Sequence, residues 1–112
     1  MEFQYCKLEI FVPEEYFEPV RQALAQADAG HIGNYDQCLS VSPVTGYWRP
    51  LAGTHPFLGE PGQLCHAPEL KIEVCCAAAQ AERTIALVKA AHPYEEPVIN
   101  LIPLAATGLD TE

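Results

Sequence analysis

The stretch "ELKIEVCCAAAQAERTIALVKAAHP", residues 69–93, decides the fold because it joins a strand pattern directly to a helix pattern. In "ELKIEVCC" apolar and polar side chains alternate, and this period of two predicts a strand with one face toward the core. The rest is rich in strong helix formers, and Ile85, Val88 and Ala91 recur at helical spacing. Pro93 cannot continue a helix, so we expect the helix to end just before it.

A second unit of strand and helix precedes this one at the amino terminus. Residues 3–12 alternate in the same way and are followed by Pro13, which suits the first turn of a helix because the backbone N–H has no partner there. The helical spacing of apolar residues continues to Ala29. Gly30 fits the left-handed residue that closes such a helix, so we expect the helix to end there.

Between these units the sequence predicts two short strands and a long loop. "QCLSVS" (37–42) alternates as a strand, "PVTG" (43–46) is typical of a turn, and "YWRP" (47–50) suits a short return strand. Residues 51–68 are dense in Gly and Pro and predict one long irregular loop, of a length that usually has a function or a partner. A last strand is expected at 98–104, at a sheet edge because it contains a proline.

The predicted order of elements is β-α-β-β-α-β with an extra short hairpin strand. This order defines an α+β fold, the ferredoxin-like split βαβ, in which two helices cover one face of an antiparallel sheet. At this length the chain is expected to form a single domain over residues 1–112. The uncovered face of the sheet would be largely apolar, which predicts an oligomer interface. Its predicted residues are Phe3, Tyr5, Phe11, Cys38 and Cys75.

The charge balance excludes one class of partner. The net charge is −9, from 15 acidic and 6 basic residues, and the basic residues are scattered, so no nucleic-acid surface is expected. The amino terminus has no secretory signal pattern, and no stretch is apolar enough to span a membrane, which predicts a cytoplasmic protein without membrane contact. The 5 cysteines include no C-x-x-C pair and are predicted to be reduced thiols.

The segment "HPYEEP", residues 92–97, is the first candidate site. His92, Tyr94, Glu95 and Glu96 offer an imidazole, a phenol and two carboxylates, which suit a divalent cation or a small ligand. The structural alternative is that the segment only stops a helix and leads into the last strand, since its two prolines enforce both. The residues alone leave both interpretations open.

The segment "GHIGNYD", residues 30–36, is the second candidate. A helix end explains its first glycine but not His31, Asn34 and Tyr35 together. We therefore predict a composite ligand pocket in which this segment meets "HPYEEP", provided that the two histidines converge. The predicted ligands of a zinc or copper ion in such a pocket are His31, His92, Glu95 and Cys38.

Four segments together resemble one known family. They are "GHIGNYDQC" (30–38), "TGYWRP" (45–50), "FLGEPGQL" (57–64) and "AHPYEEPVINLIPL" (91–104). In this order they are similar to the small inserted domain of the NIF-three-like family (NGG-interacting factor three), and the match covers nearly the whole chain. No part of the chain looks like the two flanking lobes that hold a pair of metal ions in that family. The resemblance thus implies a stand-alone version of the insert, without the dinuclear chemistry.

The carboxyl-terminal segment also resembles the cation-tolerance protein CutA, whose ferredoxin-like fold is shared with PII signalling proteins. The resemblance to both relatives implies a homotrimer in which the uncovered sheet face is buried. It places the two candidate segments near subunit contacts.

These observations predict a non-enzymatic, trimeric binding or regulatory module for a divalent cation or a small ligand at inter-subunit clefts. No Gly-x-Ser-x-Gly elbow occurs, and Glu95 and Glu96 would point to opposite sides of an extended chain, so a catalytic site is not expected. One alternative is a protein-interaction module that binds a partner through the 51–68 loop. The other is a metal-dependent, hydrolase-like enzyme.

Overall fold

Four antiparallel strands form a single sheet in the order β2-β3-β1-β4, with both helices packed on one face. This is the architecture of a computed structural model that describes residues 2–108, and it confirms the ferredoxin-like split βαβ. The elements are β1 (Tyr5–Val12), a 3-10 turn (Glu14–Tyr16), α1 (Phe17–Gln26), β2 (Ser40–Trp48), β3 (Cys65–Ala77), a 3-10 turn (Ala78–Gln80), α2 (Ala81–Ala91) and β4 (Ile99–Leu104).

The core lies between the helices and one face of the two central strands. On β1, every second residue is completely buried, and Leu8 and Ile10 pair across the strand boundary with Val74 and Ile72. Burying each of these side chains contributes roughly 1.5 to 3 kcal/mol. The alternation predicted from the sequence therefore places the core face correctly. The fully buried residues from the helices include Val20, Leu24, Ala81 and Val88.

Two cysteines face each other inside this core. Cys6 and Cys76 are directly paired across β1 and β3, and their Sγ atoms are 3.4 Å apart. Burial raises the pKa of the Cys76 thiol to about 12, and the hydrogen bond with Cys6 acts in the same direction. Both residues are free cysteines that pack as small apolar groups, as predicted.

The end of α1 differs from the prediction. The left-handed residue that closes the helix is Asp28, with φ of 59°, and the N–H groups of Asp28 and Ala29 donate to the carbonyls of Ala25 and Leu24. This pair of bonds is a Schellman motif. Gly30 also has a positive φ, but a Cβ there would overlap the backbone of Cys38. Gly30 is therefore required by a close approach of two chain segments, and the prediction that it caps the helix was wrong.

The predicted hairpin at residues 43–50 was also wrong. Residues 40–48 form one continuous strand, in which Pro43 pairs with Leu70 and Gly46 with Ala67. A proline is tolerated because β2 is an edge strand, and Gly46 has no positive φ to form a turn. Since β3 begins at Cys65, the ribbon of β2 and β3 extends beyond β1, and the long loop is shorter than predicted, at 49–64.

The uncovered face of the sheet is more polar than the sequence analysis predicted. Two lysine–glutamate ion pairs cross its centre: Lys7 with Glu73, and Lys71 with Glu9, the latter at 3.5 Å. Cross-strand pairs of opposite charge stabilise neighbouring strands. The apolar residues of this face, such as Ile102 on β4, lie around these pairs. Within residues 2–108, neither helix has the length and hydrophobicity needed to cross a membrane.

Candidate ligand-binding cleft

His92 is held at both ring nitrogens. It is 7% exposed, its Nε2 donates to the carbonyl of Phe11 at 2.6 Å, and its Nδ1 accepts the backbone N–H of Tyr94 at 3.1 Å. One nitrogen donates and the other accepts, so the ring is neutral, and burial lowers its pKa. His92 thus ties the end of α2 to the end of β1, a contact that the sequence did not predict, and has no nitrogen free for a metal.

Tyr94 and Glu69 form a buried polar pair beside it. The hydroxyl of Tyr94 donates to Oε2 of Glu69 at 2.6 Å, and Glu69 is only 7% exposed. Burial raises the pKa of Tyr94 well above its usual value, and the neighbouring Glu69 adds to the shift. The carboxylate lies over Gly46, where any side chain larger than hydrogen would overlap it. The glycine of "TGYWRP" therefore makes room for the glutamate.

The second carboxylate oxygen of Glu69, Oε1, is the carboxylate atom that lies nearest to Gly46. No described residue hydrogen-bonds Oε1, although no buried side-chain oxygen or nitrogen within the described residues lacks a partner. Oε1 is consequently not a sealed atom. Because Glu69 lines a cleft of about 530 Å³ and Oε1 is not sealed, we infer that Oε1 can be reached from this cleft.

Aromatic side chains hold the long loop against the same region. The indole N–H of Trp48 donates to the carbonyl of Leu58 at 3.2 Å. The ring of Phe57 meets Tyr16 edge-on, with centroids 5.5 Å apart, and lies 6.0 Å from Tyr94. Such ring pairs add stability beyond their burial. The loop is therefore anchored on its own chain.

A cleft of about 530 Å³ lies between the end of the β2–β3 ribbon, the loop and "HPYEEP". Most of its wall is aromatic or aliphatic, and Glu69, Glu95, Glu96 and Arg49 are its charged residues. An apolar cleft with a few polar groups is the usual form of a small-molecule site. The lining residues are Phe11, Tyr47, Trp48, Arg49, Pro50, Leu51, Thr54, Pro56, Phe57, Leu58, Glu69, Tyr94, Glu95, Glu96 and Val98.

The two glutamates of "HPYEEP" are exposed at this cleft. Oε1 of Glu95 accepts the backbone N–H of His55 at 3.2 Å, which ties the loop to "HPYEEP". Glu96 and Arg49 make no ion pair or hydrogen bond with a residue between positions 2 and 108. Three of the predicted ligand-binding residues, Tyr94, Glu95 and Glu96, therefore line one cleft.

His31 lies elsewhere and has a different environment. Its Nδ1 is 3.0 Å from a carboxylate oxygen of Asp28, and its Nε2 donates to the carbonyl of Gly33 at 3.1 Å. Both nitrogens thus face acceptors, which favours the imidazolium form, and the hydrogen bond to Asp28 raises the pKa of His31. In this conformation both ring nitrogens of the exposed His31 are bonded to acceptors, and neither is free to bind a metal.

The rest of "GHIGNYD" forms a tight hairpin. Ile32 and Tyr35 exchange two backbone hydrogen bonds, and Gly33 between them has a φ of 59°, as the first central residue of a type II′ turn requires. Asn34 and Tyr35 are at its exposed tip, and Tyr35 is 74% exposed. This turn explains Gly33, whereas the close approach to the backbone of Cys38 explains Gly30.

Within one chain, the two histidines do not converge. His31 lines a small cleft with Tyr5, at one end of β1, whereas His92 binds Phe11 near the other end. Six residues of strand separate these ends by about 20 Å. The composite pocket is therefore not formed within a chain, and its formation between chains stays a prediction.

The predicted metal ligands are separated as well. Cys38 is half-buried, and its sulfur is 3.7 Å from the carbonyl of Asp36. No group of three or more His, Cys, Asp or Glu side chains in residues 2–108 is arranged to hold a metal ion. The donors of a single chain thus do not fit a zinc or copper site.

Sequence reasoning missed Glu69, Arg49, Trp48 and Phe57 as cleft residues. Glu69 sits in a plain strand pattern, and nothing local distinguishes it from Glu73. Trp48 and Arg49 carried a signal, since they lie in the "TGYWRP" segment that the family resemblance had singled out. The sequence did not indicate that this segment and "HPYEEP" line the same cleft.

The four-stranded antiparallel sheet with two helices on one face places the chain among the ferredoxin-like α+β domains. Solved structures share this fold: CutA from Archaeoglobus fulgidus has a TM-score of 0.67 at 21% identity over 92% of this chain and 86% of that chain. The Thermus thermophilus divalent cation tolerance protein has a TM-score of 0.68 at 24% identity, over 93% and 87%.

Sequence relatives identify a family. A GTP cyclohydrolase 1 type 2 homolog from Halalkalibacterium halodurans is 46% identical over 91% of this chain, and one from Bacillus subtilis is 40% identical over 90%. The structure of a Bacillus cereus protein related to NIF3 has a TM-score of 0.81 at 37% identity, covering 96% of this chain. No family model matches the chain.

The chain spans about a quarter of the length of these relatives, 27% of each. It is therefore related to one segment of the NIF-three-like family, as its motifs indicated.

Proposed function

We propose that this chain is a non-enzymatic binding or regulatory module that holds a small ligand in the cleft beside Glu69. One observation carries the proposal: a carboxylate that is 7% exposed has one oxygen without a hydrogen-bond partner among the described residues, in a cleft whose wall is mainly apolar. Burying a charge without a partner is unfavourable, and such groups are retained where something binds them. We further propose a cytoplasmic homotrimer in which neighbouring chains complete the mouth of the cleft.

A divalent cation is the other form of this proposal. This form is supported by the shared fold with the CutA proteins, which are named divalent cation tolerance proteins. The donors of one chain do not form such a site, so a zinc or copper ion would need ligands from two chains, with His31 of one approaching Glu95 of another. The cleft of a single chain fits an organic ligand better, because its wall is mainly apolar.

The proposed absence of catalysis rests on the state of the cleft's titratable groups. The raised pKa of Tyr94 keeps its hydroxyl protonated, and both nitrogens of His92 are already bonded. Neither group is placed to take a proton from a ligand. The activity named for the relatives belongs to chains about four times as long as this one, so it is not assigned to this segment.

The NMR signal of the Trp48 indole N–H provides a direct test. Trp48 is the single tryptophan of the sequence, so its signal is unambiguous, and it lies in the wall of the cleft. We expect fragments from a defined set, or Zn²⁺ in a separate titration, to shift this signal saturably at about 1 mM or below. Val98→Phe should abolish the shift because Val98 lines the cleft.

Val41→Phe is the matched control, because Val41 is exposed to a similar degree, 41% against 52% for Val98, but lies outside the cleft. Equal binding by the two variants would overturn the proposal. Failure of every fragment and of Zn²⁺ to shift the indole signal would favour the alternative, a protein-interaction module. The exposed Leu51, Leu58 and Leu64 on or next to the loop support that alternative.

A further inference from the structure

We propose that the ligand of this cleft is an organic ammonium cation. This inference rests on the proposed function and specifies the chemistry of the ligand. Three features of the described residues carry it: the charge balance of the lining, the isolation of Glu69 from any cation, and the aromatic side chains around it.

The charged groups of the cleft are mostly negative. Glu69, Glu95 and Glu96 face one cationic residue, Arg49, in a lining without any lysine or aspartate. Charges on the walls of a low-dielectric cleft attract counter-ions of the opposite sign. The net acidity of the whole chain, −9, acts in the same direction.

Glu69 has no cationic partner among residues 2–108. Its only polar contact there is the Tyr94 hydroxyl, and none of the ion pairs among these residues includes it. A carboxylate that is 7% exposed loses much of its hydration, and a cation at Oε1 would offset that loss. An N–H group of an ammonium ion would also donate a charge-assisted hydrogen bond to Oε1 of Glu69.

Aromatic rings supply the second part of the recognition. Trp48 and Tyr94 are neighbours with ring centroids 6.0 Å apart, and Phe57 lies at the same distance from Tyr94. All three line the cleft. The faces of such rings attract cations, and indole does so most strongly. An organic cation uses these faces, whereas a divalent metal ion requires several oxygen or nitrogen ligands that the cleft does not assemble.

The experiment compares three probes of similar shape and different charge: benzylammonium chloride, benzyl alcohol and sodium benzoate. Each is titrated into the full chain while the Trp48 indole N–H signal is followed by NMR. Benzylammonium should bind at least about tenfold more tightly than the neutral alcohol, because only the cation gains both the ring faces and the carboxylate. Benzoate should not bind, since Glu69 repels it.

Glu69→Gln should lower the affinity for benzylammonium and leave the affinity for benzyl alcohol unchanged, so that the difference between the two probes becomes smaller. Glu82→Gln, an exposed residue on α2, removes the same charge away from the cleft and should leave the affinity unchanged. If Glu69→Gln folds poorly, the comparison of the three probes on the unmodified chain still tests whether the cleft prefers a cation. Equal affinity for the three probes, or preference for benzoate, would overturn the inference and leave the proposed function standing. If no probe and no fragment shifts the indole signal, both this inference and the proposed function would be overturned.

Discussion

His92 and His31 have opposite electrostatic environments although both were candidates for the same site. Burial depresses the pKa of His92, whose neutral ring bridges Phe11 and Tyr94. The carboxylate of Asp28 raises the pKa of the exposed His31. The two residues therefore affect stability in opposite directions as pH changes, and their contributions can be separated.

The pH dependence predicted for His92 follows from the lowered pKa. Between the folded pKa and the ordinary value of 6.5, the unfolded chain binds more protons, so the free energy of unfolding falls as pH decreases below 6.5. In His92→Gln, denaturant melts between about pH 7.5 and pH 5.5 should lose this part of the decline. Curves parallel to those of the unmodified protein would contradict the assignment.

His31→Gln is the control, because the expected change in the pH dependence of stability has the opposite sign. The raised pKa means that the contribution of His31 is fully present below 6.5 and is lost as pH rises through its folded pKa. Removing the imidazole should therefore steepen the decline toward low pH.

At the scale of elements, the β2–β3 ribbon and its loop act as one unit. The loop at 49–64 is fastened at Trp48 and Phe57, both of which lie within or next to it. His55 adds a bond to Glu95 across 40 residues of sequence. The cleft wall depends on these few contacts.

Trp48→Phe should loosen the loop without unfolding the sheet. The substitution removes the indole N–H bond to Leu58, at a cost of about 1 kcal/mol, while keeping an aromatic ring. Hydrogen exchange measured by mass spectrometry should accelerate over 49–64 and stay unchanged in the strands. Tyr47→Phe, at an adjacent ring that is 66% exposed, should leave the loop protected. Unaltered exchange in Trp48→Phe would show that other contacts hold the loop.

At the scale of the whole molecule, the uncovered sheet face combines ion pairs with exposed apolar side chains. Its ion pairs of Lys7 with Glu73 and Lys71 with Glu9 are compatible with water, whereas Ile102 beside them is 38% exposed. A mixed face of this kind suits an interface with an apolar part and satisfied charges. Burial between identical chains is the arrangement we propose.

Light scattering tests this arrangement. We expect a mass close to three times the 12.3 kDa of one chain at micromolar concentration. Ile102→Lys should lower that mass, because a lysine on this face would be buried without a partner. Val41→Lys, on the opposite face of edge strand β2, should not. A monomer mass for the unmodified chain would contradict the trimer.

How far the sequence predicts this protein depends on how local each feature is. Pro93 stops α2 at Ala91 as expected, since the ring of proline acts on its immediate neighbours. The prediction at Gly30 was wrong because two left-handed residues lie close together, and the chain closes the helix at Asp28. His92 was predicted as a ligand of the site, but its bond to Phe11, 81 residues away, gives it a structural role that no local pattern indicates.

The sequence by itself determined the two strand and helix units, the core face of β1 and β3, and the order of the fold, because hydrophobic periodicity records which side of each element is buried. Only the tertiary structure decided that Pro43 and Gly46 lie in a strand, since pairing with β3 outweighs the local preference for a turn. It alone placed Glu69 beside Tyr94, and His31 and His92 at opposite ends of β1. These relations depend on sheet register and loop packing, which join residues distant in the chain and leave no local pattern in it.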